Sequence, residues 1–161
     1  WAFSDVLSNT LRGILAEYIV ANALGIINGV RNEWSSWDLT TDDGIRIEIK
    51  TAAYIQCWGQ KKFSSISYDV RPTLALNEDG SSYCGSKKRQ SDVYIFCLLA
   101  HKDQPSIDPL SLDQWKFFII AAEKLNQELG DQKRVSLNRL KEIGAVEADY
   151  DSIKSALERI R

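Results

Sequence analysis

In "GIRIEIKTA", residues 44–52, isoleucines alternate with charged residues. Because successive side chains of a β-strand point to opposite faces, the stretch predicts a strand with one apolar and one polar face. Glu48 and Lys50 are two residues apart, so they share the polar face and lie about 6.6 Å apart along the strand. That polar face is either a solvated surface or half of a catalytic site.

The segments before this strand predict a helix and a hairpin. Residues 5–24 carry apolar residues at helical spacing, and Gly25 can end the helix. "WSSWDLTT", residues 34–41, predicts a short strand, and "TDDG", residues 41–44, predicts a turn. A hairpin of this kind brings Asp38 opposite the charged face of the following strand.

The segments after it predict more strands and then helices. The run at 92–100, "DVYIFCLLA", is apolar after its first residue, which predicts a strand at the centre of the sheet. Further strands are expected at 63–70 and 114–122, a loop at 72–91, and helices at 122–129, 136–143 and 149–160. This order predicts a single α/β or α+β domain spanning 1–161, in which residues 122–161 form a helical C-terminal extension.

Composition narrows the class of protein. The 161 residues are 44% hydrophobic and 26% charged, which is typical of one globular domain with its own core. The net charge of −2 argues against binding nucleic acid through bulk charge but allows a local basic patch. No apolar run approaches the roughly 20 residues that span a bilayer, and the first residues do not resemble a signal peptide, so a cytoplasmic protein without membrane contact is expected.

Cysteine and histidine offer little chemistry here. The three cysteines, Cys57, Cys84 and Cys97, are widely spaced and form no CxxC pair. A thiolate zinc site needs closely spaced ligands, so we expect reduced, structural cysteines. His101 is the single histidine, which excludes mechanisms that need two.

Carboxylates carry the candidate chemistry. Asp38 and Glu48, brought together by the hairpin, repel each other unless a cation or a proton intervenes. Mg²⁺ prefers a few oxygen ligands, and the two carboxylates with a strand carbonyl, that of Ile49, meet this preference. Glu17 lies within the first helix among small residues, where a carboxylate is costly to bury without a partner. It is either a partly exposed edge residue or a part of the metal's outer shell.

Taken in order, Glu17, Asp38, Glu48 and Lys50 give the chain a resemblance to the PD-(D/E)xK nuclease superfamily. The matching stretches are "LRGILAEYIVANALG", "WSSWD" and "IRIEIKTA", and the resemblance covers residues from about 5 to 120. It implies a restriction-endonuclease-like α/β fold with a central mixed β-sheet flanked by helices. One departure is visible, since Trp37 stands where the family name expects proline.

The resemblance also implies roles for these residues. Asp38 and Glu48 would ligate Mg²⁺ or Mn²⁺, Glu17 would reach the metal through water, and Lys50 would position the attacking water. The activity implied is phosphodiester hydrolysis, with DNA favoured as substrate. Some of these nucleases act as homodimers, and the sequence leaves the oligomeric state open.

Several polar residues are candidates for contacts with nucleic acid. The basic residues either contact phosphates or belong to solvated loops: Lys61, Lys62, Lys87, Lys88 and Arg89. Gln56 is expected to line the cleft and to contact nucleic acid there. Trp58 is the tryptophan expected to be exposed, where it could stack on a base. The alternative to an enzyme is a non-catalytic nucleic-acid-binding or protein-interaction module with a degenerate site. Convergence of Asp38, Glu48 and Lys50 in one cleft would favour the enzyme.

Overall fold

The computed structural model describes residues 4–27, 35–76 and 83–160. Its helices and strands follow in this order: α1 (Asn9–Leu24), β1 (Leu39–Thr40), β2 (Arg46–Ala53), β3 (Ser67–Asp69), β4 (Thr73–Leu76), β5 (Tyr83–Lys88), β6 (Val93–Leu99), β7 (Trp115–Ala121), α2 (Ala122–Leu129), β8 (Arg134–Ser136), α3 (Leu137–Glu142), β9 (Val146–Ala148) and α4 (Ile153–Arg159). None of the helices described is long and apolar enough to cross a membrane.

A mixed five-stranded sheet forms the centre of the described chain, in the order β1-β2-β6-β7-β9. Strands β2 and β6 are parallel, while β1, β7 and β9 are each antiparallel to their neighbours. All seven residues of β6 are buried, as expected of a strand with neighbours on both edges and cover on both faces. The prediction of a central mixed sheet flanked by helices is confirmed, with the 92–100 run at its middle.

Two apolar layers cover this sheet, one on each face. The first layer contains Ile47 and Ile49 of β2 and packs against α1 and α4. The second contains Tyr94 and Phe96 of β6 and packs against α2, α3 and the β3–β8 pair. Glu48 pairs with Tyr94 across the parallel ladder, so the charged side of β2 belongs to this second, covered face. The polar face of β2 is therefore not an open sheet surface.

Helix α1 begins and ends at recognisable caps. The Ser8 hydroxyl accepts a hydrogen bond from the N–H of Leu11, and Gly25 closes the helix at a φ of 73°, a left-handed conformation that favours glycine. The helix therefore begins at Asn9, later than the predicted start at residue 5. The residues before it form a turn in which Asp5 accepts from the N–H of Leu7.

The prediction of a loop over 72–91 is wrong for residues 73–76 and 83–88, which form strands. Strands β4 and β5 pair there as an antiparallel hairpin, with Thr73 opposite Lys88. Strand β4 spans only four residues, and small and polar residues make up most of β5, so the sequence shows no sustained apolar alternation over this segment. Residues 77–82, within the predicted loop, lie outside the described residues.

The segment after residue 121 is more than a helical extension. Helix α2 has the predicted bounds, and α3 and α4 fall within their predicted ranges. Two strands were not predicted: β8 pairs with β3, and β9 pairs with β7 and forms an edge of the central sheet. Both are three residues long, too short to show a period in the sequence.

Arg89 was predicted to contact nucleic acid, and the structure contradicts this. Its side chain is buried, and the guanidinium donates to the carbonyls of Val70, Gly130 and Gln132 and to the side chain of Asn126. A buried arginine needs such acceptors because an unpaired buried charge is costly. Arg89 therefore ties the end of β3 to α2 and the turn after it.

Replacing Arg89 with lysine should lower the free energy of unfolding by about 2 kcal/mol, because a single ammonium cannot satisfy acceptors spread around a planar fork. Urea unfolding followed by circular dichroism measures the change. The control is Arg159→Lys at an exposed position of α4, where the effect should stay under about 0.5 kcal/mol. Equal stability of the two variants would contradict the role assigned to Arg89.

Candidate active site

Asp38 is held against the edge of β2 by two hydrogen bonds. Its backbone N–H donates to the carbonyl of Ile47 over 3.0 Å. Its carboxylate Oδ2 accepts from the N–H of Ile49 over 2.6 Å. Because both partners belong to β2, the carboxylate is fixed next to the residue between them, Glu48.

Glu48 is oriented through both of its carboxylate oxygens. The Nζ of Lys50 lies 2.5 Å from Oε1, and the hydroxyl of Ser91 donates to Oε2 over 3.2 Å. Ser91 is buried just before β6, so it approaches Glu48 from the neighbouring strand. These contacts leave the Glu48 carboxylate little freedom to rotate.

The charges around Asp38 oppose its ionisation. Burial, followed by repulsion from Glu48 and more weakly from Glu17, raises the pKa of Asp38 to about 7, against the lowering effects of the Ile49 N–H and Lys50. Glu17, which is half-buried on α1, acts on Asp38 through its charge. Of the four residues that the sequence predicted as a set, Glu48, Glu17 and Lys50 therefore all act on the fourth, Asp38.

Lys50 stays charged in this environment. Burial favours the neutral amine, but the negative charges of Glu48, Asp38 and Asp69 outweigh it and raise the pKa of Lys50 above its ordinary value. At neutral pH the side chain is therefore an ammonium. It can donate hydrogen bonds, but it cannot accept a proton.

A cleft of ≈ 170 Å³ opens beside these residues. Glu48 and Lys50 contribute to its lining, as does Ser36 from the segment that carries Asp38. The remaining lining residues come from the β3–β4 segment and from β6 and the chain before it: Asp69, Val70, Arg71, Thr73, Gln90 and Tyr94. Asp38 itself does not line the cleft and lies beside it, on the Ile49 N–H.

The sequence analysis missed three residues of this site, Ser91, Asp69 and Arg71. Ser91 carries no local pattern and meets Glu48 only because β2 and β6 are neighbours. Asp69 and Arg71 repeat the spacing of Glu48 and Lys50, two residues apart at the end of a strand. That spacing is the signal that could have identified them.

Oxygen atoms are the metal ligands that this arrangement offers. The Ile47 carbonyl and the Ile49 N–H both face Asp38, and the N–H and carbonyl of one strand residue point to the same edge, so the Ile49 carbonyl faces that side too. With Asp38 and Glu48 this gives two carboxylates and one carbonyl. Across residues 4–27, 35–76 and 83–160, no group of three or more His, Cys, Asp or Glu side chains is arranged to hold a metal.

The predicted nucleic-acid contacts divide into exposed and buried residues. Lys61 and Lys62 are exposed and border a second hollow of ≈ 320 Å³, together with Phe63 and Lys102. Trp58, in the same loop, is 54% exposed, which confirms that prediction. Lys87 and Lys88 are also exposed, on β5.

Gln56 was expected to line the cleft, and the structure contradicts this. Its side chain is buried, where the amide donates to the carbonyl of Ala53 and the hydroxyl of Ser64 and accepts from Arg12. Gln60 makes similar bonds within the same loop, to the carbonyls of Tyr54 and Lys62. Both glutamines build the loop that follows β2 and leave its lysines and aromatic rings outside.

Replacing Asp38 with asparagine should change how stability depends on pH in metal-free protein. Because the pKa of Asp38 is about 7 when folded and near 3.8 when unfolded, the folded chain holds the extra proton between these values. Wild-type stability should therefore fall as pH rises through that window, on the order of 1 kcal/mol per pH unit, with no further loss above it. Asparagine retains the acceptor for Ile49 and has no proton to lose.

Urea unfolding in EDTA between pH 4 and 8, the window set by these two pKa values, measures the effect. Asp38→Asn should be more stable than wild type at the alkaline end and lose this part of the pH slope. The exposed substitution Asp131→Asn should retain the wild-type slope. Identical slopes for all three proteins would show that Asp38 ionises freely.

Comparison with known proteins shows the family to which this chain belongs. The family model of bacteriophage T4 endonuclease IV matches residues 2–139, which include Asp38, Glu48, Lys50 and the whole lining of the cleft. No curated protein matches the chain. Since the match covers most of the 161 residues, the chain belongs to the bacteriophage T4 endonuclease IV family.

Proposed function

We propose that the protein is a metal-dependent endonuclease that hydrolyses phosphodiester bonds in DNA, with Mg²⁺ or Mn²⁺ as its cofactor. One observation carries the proposal: Asp38 and Glu48 are held next to each other at the edge of a cleft, and Lys50 is paired with the Glu48 carboxylate. A fold gains nothing in stability from burying Asp38 beside a second acid, since burial and then repulsion from Glu48 raise the pKa of Asp38 to about 7. Such an arrangement is typical of a catalytic site.

Membership of an endonuclease family supports the hydrolase part of the proposal. The metal and the PD-(D/E)xK relationship rest on the residues themselves. Asp38 precedes a strand that carries Glu48 and Lys50 in the order E-x-K, and α1 comes before both with Glu17. The mixed sheet flanked by helices is also the architecture that this resemblance implies.

The donor set fits a hard divalent cation. Asp38, Glu48 and the Ile49 carbonyl supply only oxygen, and Mg²⁺ needs few protein ligands because it keeps several waters. A cation there would remove the repulsion that now opposes ionisation of Asp38. When bound, the metal would lower the pKa of a coordinated water and neutralise charge on the phosphate. Glu17, whose charge acts on Asp38 from α1, is the residue that we assign to the outer shell.

Lys50 has an electrostatic role in this proposal. As an ammonium it cannot serve as the general base, but it can donate hydrogen bonds to an attacking water and to phosphate oxygens. Ser91 and Lys50 together fix the Glu48 carboxylate, so that its oxygens keep their direction before substrate arrives. Preorganised charge of this kind lowers the barrier where negative charge develops.

The substrate is assigned to surfaces beside the cleft. Lys61 and Lys62 lie in the ordered loop that directly follows β2, and Lys87 and Lys88 lie on β5, whose partner strand contributes Thr73 to the cleft. Phosphate contacts from these lysines would neutralise backbone charge that the acidic site repels. Trp58, exposed in the same loop, could stack on a base.

Lys50→Ala should lower the rate of DNA cleavage in Mg²⁺ by about 100-fold or more, because it removes the ammonium that stabilises the negative charge developing on the phosphate in the transition state. The matched control is Lys116→Ala. Lys116 is also a strand lysine whose Nζ lies 2.5 Å from a carboxylate, that of Asp149, and it is far in sequence from the cleft residues. Gel assays of plasmid and oligonucleotide cleavage measure both. Equal cleavage by wild type and Lys50→Ala would point to a contaminating nuclease and refute the proposal.

Mg²⁺ or Mn²⁺ should bind the wild-type protein in isothermal titration calorimetry, and EDTA should abolish cleavage. Asp38→Asn and Glu48→Gln should each lose the binding heat, because each removes a charged ligand. The control is Glu147→Gln. Glu147 is an exposed residue of β9, at the opposite edge of the sheet from β1, and its carboxylate pairs with Lys141. This variant should bind the metal as wild type does. Absence of metal binding to the wild type would contradict the metal-dependent mechanism.

A further inference from the structure

The cleft contains a second charged pair that the catalytic assignment does not use. Asp69 and Arg71, at the end of β3, line the cleft together with Glu48 and Lys50. The Nε of Arg71 donates to both carboxylate oxygens of Asp69 over 2.9 and 2.8 Å, and its Nη2 donates to Oδ2. The Arg71 backbone N–H also donates to Asp69, so the pair is a compact local unit.

The backbone beneath this pair is firmly anchored. Val70 lies between the two residues and is buried, its N–H donates to the carbonyl of Lys133, and its carbonyl accepts from Arg89. Because residues on either side of a buried strand residue point the other way, Asp69 and Arg71 are both directed outward. Their side chains are 40% and 58% exposed.

One cation of the cleft is not paired with a proposed catalytic acid. Lys50 and Arg71 are the cations among the residues that line it, and Lys50 is already bound to Glu48. Asp69 and Lys50 attract each other electrostatically, so the two ion pairs of the cleft interact. A phosphodiester that enters beside the carboxylates of Asp38, Glu48 and Asp69 needs a cation that is not paired with Asp38 or Glu48. Arg71 is such a cation.

We propose that Arg71 is the substrate-binding residue of the cleft, which exchanges its bond to Asp69 for a bidentate bond to a backbone phosphate of the nucleic acid. The inference rests on the proposed function, because it takes the nuclease substrate as its ligand. A guanidinium fork matches the geometry of phosphate as well as that of carboxylate. An exposed ion pair contributes little to stability because water screens its charges, so its exchange costs little. Asp69 keeps the guanidinium oriented until the phosphate arrives.

Arg71→Ala should weaken binding of a short fluorescein-labelled oligonucleotide about tenfold. Fluorescence anisotropy in EDTA measures binding without cleavage, for single-stranded and duplex forms. The slope of log affinity against log salt should fall by about one, because one phosphate contact is lost. Arg71→Lys should keep the slope and lose part of the affinity, since a point charge replaces a fork. Asp69→Asn should tighten binding, because a competing carboxylate is removed.

The matched control is Arg134→Ala. Arg134 lies on β8 directly opposite Asp69 and outside the cleft lining, so it tests for a general effect of positive charge at this end of the sheet. It should bind as wild type does. Equal affinities and salt slopes for Arg71→Ala and Arg134→Ala would overturn the assignment.

Cleavage kinetics separate this inference from the proposed function. In Mg²⁺, Arg71→Ala should raise KM about tenfold and change kcat by less than about twofold, as expected when uniform binding is lost. If the wild type binds nucleic acid more tightly than Arg71→Ala but never cleaves it, the result would support the phosphate site and refute the nuclease. Cleavage by Arg71→Ala with unchanged KM would support the nuclease and refute the phosphate site.

Discussion

The hydrogen bond between the Asp38 carboxylate and the N–H of Ile49 is the constraint around which the site is built. A backbone donor at a covered strand edge needs an acceptor, and here a carboxylate supplies it. Asp38 therefore cannot turn away from Glu48 without leaving that donor unpaired. The same bond that completes the edge of β2 holds two acids together, so the stability of the strand and the unfavourable charge of the site are linked.

The two faces of β2 explain why the site is a cleft. Its isoleucines must pack against α1, and this forces Glu48 and Lys50 onto the face that β3 and the helices α2 and α3 also cover. The cover is incomplete beside the end of β3, where the chain turns away toward β4. Charged groups that would be costly under a complete cover reach water there, in a confined space that strengthens their interactions.

Local sequence pattern predicted what local physics controls. The alternation around Ile47 predicted β2 and its charged face, and the apolar run from Val93 predicted the central strand. The burial of Arg89 and Gln56 could not be predicted, because each has a hydrogen-bond partner in a distant segment that only the folded chain brings close. Arg89 donates to the carbonyl of Gly130, and Gln56 accepts from the guanidinium of Arg12. The same holds for Ser91, whose contact with Glu48 depends on which strand lies next to β2. Short strands such as β8 and β9 form because partners are already in place.

The central sheet, as far as the structure describes it, ends in two short strands. The edge strand β1 has two residues and the opposite edge strand β9 has three. Long open edges allow copies of a protein to add to each other strand by strand, whereas edges this short offer few free backbone groups. Pairing of copies along these edges would thus gain few hydrogen bonds, and β2, which carries Glu48 and Lys50, lies inside the sheet rather than at either edge.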